Sequence, residues 1–115
     1  MAALQKSIEK RNALIAATIE LVNNNGFHAT SMSKIAHMAQ VSPATIYLYF
    51  ANKQDLVNKT YIEVKGKYTD YAFETYTEKM PVAAGFELIW KRIADFKLKE
   101  CTYAMFLAQC DNTPM

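Results

Sequence analysis

The sequence has few residues that interrupt helices or cross-link chains. Its 115 residues include three glycines, three prolines and two cysteines. Cys101 and Cys110 are too few for the disulfide framework of a small secreted domain. On a helix, their spacing corresponds to about 900° of rotation, which places them on opposite faces. We therefore expect both to be reduced, as small core or interface residues.

Membrane and export signals are also missing. No segment approaches the run of about eighteen apolar residues that a membrane-spanning helix needs. The beginning of the chain, MAALQKSIEKRN, lacks the apolar stretch of a signal peptide. We expect a soluble cytoplasmic protein with no membrane partner.

Signatures of catalysis are absent as well. His28 and His37 are not at metal-ligand spacing from each other or from acidic residues. There is no glycine-rich phosphate loop, and the order of residues suggests no Ser/His/Asp set. We expect no enzyme, no metal and no cofactor.

The chain carries little excess charge, with a formal net charge of +2, which argues against a histone-like protein. The charge is unevenly placed, however. Residues 1–60 hold six basic and three acidic side chains, whereas residues 61–115 hold seven and eight. A mildly basic first half is consistent with a region that faces phosphates.

What the sequence does contain is helical periodicity, with no sustained alternation typical of strands. It predicts an all-α protein with six helices, at about 4–24, 31–38, 43–50, 53–79, 82–97 and 100–108. Gly26 follows three asparagines and is a natural helix stop. The second and third helices are too short to be stable alone, so the first and fourth must hold them.

The start of the third helix carries several independent signals. Ser42 is a favourable N-cap, and Pro43 suits the first helical position. Val41 and Ile46 have the spacing of a hydrophobic staple. Asn52 can likewise cap the fourth helix, with Asp55 in its first turn.

The residues that follow are suited to a DNA groove. Ser42, Pro43, Ala44 and Thr45 are small, so this helix end can approach closely a groove about 12 Å wide, where hydroxyl and methyl groups contact base edges and thymine methyls. The positive end of the helix dipole favours phosphate. Further along are groups able to reach phosphates, namely Tyr47, Tyr49 and Lys53.

Two stretches, ELVNNNGFHATSMSKIA and AQVSPATIYLYFANKQDL, resemble the signature of the TetR family of repressors over about residues 8–57. The resemblance implies a homodimer with one helix-turn-helix per subunit, bound to double-stranded operator DNA at half-sites about 34–36 Å, or multiples of that, apart. It further implies a repressor released by a small-molecule effector. The implied DNA contacts are Thr30, Ser31, Ser42, Pro43, Ala44, Thr45, Tyr47, Tyr49 and Lys53.

The resemblance also divides the chain. Residues 1–52 correspond to a homeodomain-like, three-helix DNA-binding domain. Residues 53–115 correspond to a long fourth helix and the start of a helical ligand-binding and dimerisation domain. By this resemblance we expect either a truncated product or a minimal variant of the family. Gln40 stands where the family usually has glycine, which costs about 1 kcal/mol if the position is left-handed. Leu48 replaces a frequent phosphate contact and is either a packing residue or a thymine-methyl contact.

The second half is rich in aromatic residues. By the resemblance, some of them line an effector cavity, and the candidates are Tyr68, Phe86, Trp90, Tyr103 and Phe106. The alternative is that they form an ordinary core and an interface. The rival function for the whole chain is an all-helical protein-interaction module that does not bind DNA.

Overall fold

In a computed structural model that describes residues 2–113, the chain forms six helices joined by short connections. They are α1 (Ala2–Asn25), α2 (Met32–Met38), α3 (Pro43–Ile46), α4 (Lys53–Phe73), α5 (Val82–Lys99) and α6 (Cys101–Asp111). The described range contains no strand, and the all-α prediction is confirmed. Residues 1, 114 and 115, at the outer ends of the two predicted domains, lie outside the described residues. None of the described helices combines the length and the apolar character needed to cross a membrane.

The first half of the chain is built around one apolar core. Helix α1 packs against α2, α4 and α6, and α2 packs against α3. Ile35 of α2 and Ile46 of α3 are fully buried in the cluster that also contains Leu14 of α1 and Leu56 of α4. The short helices are therefore held by the long ones, as the sequence predicts.

Side-chain caps fix where the helices begin. The side-chain oxygens of Ser31, Ser42 and Asn52 accept the backbone N–H groups of the residues three positions later, at 3.1, 3.1 and 2.8 Å. Each bond satisfies an amide that has no partner within its helix. At the other end of α1, Gly26 adopts φ 84° and its N–H donates to the carbonyl of Val22 at 2.8 Å. The predicted caps and the predicted stop are confirmed.

Helix α4 ends at Phe73, six residues before the predicted limit of residue 79, because a side chain from α5 binds a carbonyl of its last turn. The guanidinium of Arg92 stacks on the Tyr71 ring, donates from Nε to the Tyr71 carbonyl at 2.6 Å, and pairs with Glu74 at 2.6 Å. A cation at a helix C-terminus satisfies free carbonyls and opposes the helix dipole. The chain then turns, so that α5 packs back along α4.

A close approach holds that turn in place. The Tyr76 ring packs edge-on against Phe73 and lies over Gly85 in the first turn of α5. A Cβ atom at position 85 would lie 2.9 Å from the Tyr76 ring. Only glycine leaves room for the ring there. Between the same two helices, the hydroxyl of Tyr71 in α4 donates to the carboxylate of Asp95 in α5.

Candidate nucleic-acid interface

The turn between α2 and α3 orients the candidate reading helix. Gln40 adopts φ 59°, the left-handed region that glycine favours. Its N–H donates to the His37 carbonyl, and the N–H of Val41 donates to the Ala36 carbonyl at 2.9 Å. The suspected left-handed conformation of Gln40 is thus present, and the strain expected of a residue with a Cβ comes with it.

We call residues 42–49 the reading segment. It begins with α3, whose first residues Ser42, Pro43 and Ala44 are exposed. The hydroxyls of Ser42 and Thr45 are 2.6 Å apart, and Ser42 also accepts the Thr45 N–H. Both hydroxyls are therefore engaged with the cap, and the apolar atoms of this helix end face outward beside them.

Helix α3 ends at Ile46 rather than at the predicted residue 50. The N–H groups of Leu48 and Tyr49 donate three residues back, at 2.9 and 3.1 Å, which tightens the chain into a turn. The tightening lets Ile46 and Phe50 both enter the core, with 0% and 2% exposure. It leaves Leu48 82% exposed, so of the two interpretations of Leu48 the structure excludes core packing.

The two tyrosines of the reading segment have different surroundings. Tyr47 is 55% exposed. Tyr49 is half-buried, and its hydroxyl lies 3.2 Å from the Ser7 hydroxyl in α1. Tyr49 thereby ties the first turns of α1 to the turn that follows α3.

Lys53, in the first turn of α4, is engaged with the connection between α1 and α2. Its ammonium donates to the Phe27 carbonyl at 3.0 Å and lies 4.2 Å from the centre of the Phe27 ring. Lys34 donates to a second carbonyl of the same connection, Ala29, at 3.1 Å. An ammonium has further N–H donors after such a bond. Sequence reasoning missed this structural role of Lys53, because Phe27 lies 26 residues earlier in the chain and no local pattern links the two.

Thr30 and Ser31, the two neighbouring candidates at the start of α2, have different surroundings in the structure. Ser31 is exposed and caps the helix. Thr30 is 1% exposed, and its hydroxyl donates to the Gly26 carbonyl at 2.8 Å. The expectation of a Thr30 side-chain contact with phosphate is corrected, because this hydroxyl lies in the core and holds the loop that follows α1.

Asp55, in the first turn of α4, is stabilised as a carboxylate by its neighbours. The backbone N–H of Ala51, at 2.9 Å, and the Lys59 ammonium lower the pKa of the Asp55 carboxyl. The negative charge of Asp55 is therefore matched by its own neighbours. The described residues contain no group of His, Cys, Asp and Glu suited to a metal.

The five aromatic candidates for an effector cavity do not share one cavity. Phe86 and Trp90 stack on each other on an outer face of α5 and are 69% and 66% exposed. Phe106 is fully buried in the core. Tyr68 packs edge-on against Phe96, whereas Tyr103 accepts a hydrogen bond from Lys67. The expected grouping is therefore corrected, because the rings lie on α4, α5 and α6 and have different surroundings.

One cleft lies where α1, α4 and α6 meet. It measures about 540 Å³, and its lining includes Ile15, Ile19, Glu63, Lys67 and Tyr103. Arg11 bridges to Glu63 at 2.5 Å near its edge. Of the predicted cavity residues, only Tyr103 reaches this cleft.

Comparison with known proteins identifies relatives. Residues 14–60 match the family described as bacterial regulatory proteins, tetR family. The chain is 39% identical over 66 residues to the fatty acid metabolism regulator protein of Bacillus subtilis, an alignment covering 57% of this chain and 34% of that protein. It is 28% identical over 110 residues to an uncharacterized HTH-type transcriptional regulator of Haemophilus influenzae, covering 96% and 59%.

The fold is likewise similar to solved structures. A TetR family transcription regulator from Marinobacter aquaeolei superposes with a TM-score of 0.84 at 28% identity, covering 95% of this chain and 57% of that one. The chain thus spans 34% to 59% of the length of these three relatives. The likeness extends through α5 and α6, well beyond the segment that the family signature covers.

Proposed function

We propose that the chain is a member of the tetR family of bacterial regulatory proteins, whose pattern residues 14–60 match, and that it is a sequence-specific DNA-binding transcriptional regulator. In this proposal, residues 2–52 bind a double-stranded operator and the helices from α4 onward form the regulatory part. The protein acts as a repressor in the cytoplasm and is not an enzyme. A homodimer places one reading segment in each of successive major grooves.

The observation that carries the proposal is the geometry of the reading segment. A tight turn at Gln40 and a capped start at Ser42 present a short helix whose leading side chains are small and exposed. Such an end can enter a major groove, where an α-helix fits. Ser42, Pro43, Ala44 and Thr45 then face the bases or the adjoining backbone.

Phosphate contacts surround that end in the proposal. Ser31 at the start of α2 and Tyr47 beside the reading helix are exposed. Lys53 offers the N–H donors that Phe27 does not use, and Tyr49 contributes its hydroxyl, which lies 3.2 Å from that of Ser7. Contacts of this kind fix the register of a protein on the duplex but do not read sequence.

An effector that releases the operator remains part of the proposal. The cleft between α1, α4 and α6 adjoins the helices that hold the reading segment, so a ligand there can affect it. The Bacillus relative is named for fatty acid metabolism. Acyl compounds are therefore the first effectors to test, by their ability to release a bound duplex.

A salt titration tests the function. The chain is mixed with promoter duplexes and binding is measured by fluorescence anisotropy between about 50 and 200 mM salt. A DNA-binding head that neutralises several phosphates loses affinity steeply and linearly on a log–log plot. A flat response, or no binding to any promoter duplex, contradicts the proposal.

One observation favours a second function, contact with another protein. The stacked pair Phe86 and Trp90 lies on the same helix as Val82, and all three are at least 66% exposed. Exposed apolar faces of this kind often mark interaction sites. If the chain binds a partner protein at high salt and without a DNA duplex, that result would support an interaction module instead of a regulator.

A further inference from the structure

We propose that the reading segment recognises A·T base pairs through the 5-methyl groups of thymine, with Leu48 as the main contact. The inference rests on the proposed function, since it requires that the head bind duplex DNA. It adds the chemical class of the operator half-site and the residue that selects it.

The reading segment is poor in side chains that form directed hydrogen bonds with bases. Its sequence, SPATIYLY, contains no arginine, lysine, asparagine, glutamine or acid. Direct readout by hydrogen bonds uses these side chains, with arginine or lysine on guanine, asparagine or glutamine on adenine, and acids on cytosine. The segment therefore lacks the groups that identify a base by paired hydrogen bonds.

Most hydroxyls of the reading segment already have a hydrogen-bond partner within the protein. Ser42 and Thr45 lie 2.6 Å from each other, and Ser42 also accepts the Thr45 N–H. The Tyr49 hydroxyl lies 3.2 Å from that of Ser7. In each of these pairs one hydroxyl donates and the other keeps its O–H, because a hydroxyl has one donor and two lone pairs. Each pair therefore leaves one O–H for a base edge, and the segment offers few free donors.

The reading segment exposes apolar groups to solvent. Leu48 is 82% exposed, and its N–H is bonded to the Thr45 carbonyl. Ala44 is exposed as well, and Tyr47 offers a ring that is 55% exposed. A single exposed leucine is common on any surface. Here it follows a helix end whose polar side chains are two hydroxyls, and the thymine methyl is the apolar group of the major groove.

The experiment removes only the methyl groups. A duplex is selected by the chain from a random pool, and each thymine of the selected half-site is replaced in turn by deoxyuridine. Affinities are measured for the wild type, for Leu48→Ala, and for the matched control Leu98→Ala. Leu98 is also 82% exposed but lies in α5. Both alanine variants remove a solvent-exposed side chain, and circular dichroism checks their folding.

We expect at least one uracil substitution per half-site to weaken wild-type binding about fourfold, the effect of one buried methyl group. Uracil substitution should weaken binding by Leu98→Ala to the same extent as binding by the wild type. Leu48→Ala should bind the thymine duplex about as weakly as the wild type binds the uracil duplex, and should no longer distinguish the two.

Other results overturn the inference. If uracil has no effect at any position, or weakens the wild type and Leu48→Ala equally, Leu48 does not read thymine methyls. If the chain selects half-sites that contain no A·T pairs, the inference is likewise wrong. If no duplex is selected and the salt titration is flat, the proposed function fails and the inference fails with it. The two failures are thus distinguishable.

Discussion

Replacement of Lys53 by methionine separates two contributions of one side chain. Methionine keeps most of the length of the stem and loses the charge. In the structure, the ammonium holds the Phe27 carbonyl at 3.0 Å and lies 4.2 Å from the centre of the Phe27 ring. In the proposed complex, the same ammonium also donates to a phosphate. Lys53→Met should therefore lower both the stability of the free protein and the salt dependence of DNA binding.

The magnitudes follow from these contacts. A hydrogen bond from a charged donor contributes about 1 kcal/mol here, below the usual range for charged groups because the site is only partly buried. The cation–π contact adds about 0.5–1 kcal/mol. The total loss of about 1.5–2 kcal/mol corresponds to a fall in Tm of roughly 5–8 °C for a chain of this size. Loss of one phosphate contact reduces the log–log salt slope by about 0.9 per subunit, with similar effects on all sequences.

Two other variants complete the assay. Phe27→Leu removes the ring but leaves the charge, so we expect a lower Tm with an unchanged salt slope. Lys65→Met removes an exposed lysine in the middle of α4 and should leave the slope unchanged. Thermal unfolding by circular dichroism and salt titrations by anisotropy give both quantities. If Lys53→Met loses stability but keeps the wild-type slope, Lys53 is a structural residue and not a phosphate contact.

The remaining predictions concern stability and thiol chemistry. Gln40→Gly should raise the free energy of unfolding by about 0.5–1 kcal/mol, because relief of left-handed strain exceeds the added chain entropy; an unchanged or lower urea midpoint would contradict this. Ser42→Ala should cost about 1 kcal/mol through loss of the cap, whereas Ser33→Ala, exposed within α2, should be near neutral in the same urea titration. Burial, with Asp111 nearby, raises the pKa of the Cys110 thiol to about 11, so at pH 8 a thiol reagent should label exposed Cys101 first and Cys110 only on unfolding. Equal labelling rates would show that Cys110 is accessible.

The beginnings of the inner helices were predictable from sequence because their causes are local. Ser31, Ser42 and Asn52 each bond an amide three residues further along, and nothing distant is needed. Even so, Thr30 and Ser31 are both capping residue types. Only the structure shows that Ser31 caps α2, while the Thr30 hydroxyl turns back to Gly26. The choice depends on how α1 and α2 pack.

The end of α4 was harder to predict because distant residues determine it. Helix α4 ends where Arg92 of α5 binds the Tyr71 carbonyl and where Tyr76 packs on Gly85. Neither partner is visible in the periodicity of residues 53–79. The aromatic candidates failed for a related reason. Periodicity shows that Phe86 and Trp90 share a helix face, but it does not show whether another element covers that face.

We expect DNA affinity and sequence preference to depend on different residues in the first half of the chain. The cations near the reading segment, Lys34 and Lys53, are held by carbonyls of the connection between α1 and α2. Residues 35–52 carry no Lys, Arg, Asp or Glu. Because phosphate contacts control salt dependence and base contacts control specificity, changes at Lys53 should alter the first without the second. Changes at Leu48 should do the reverse, since a side chain without charge releases no counterions when it enters the groove.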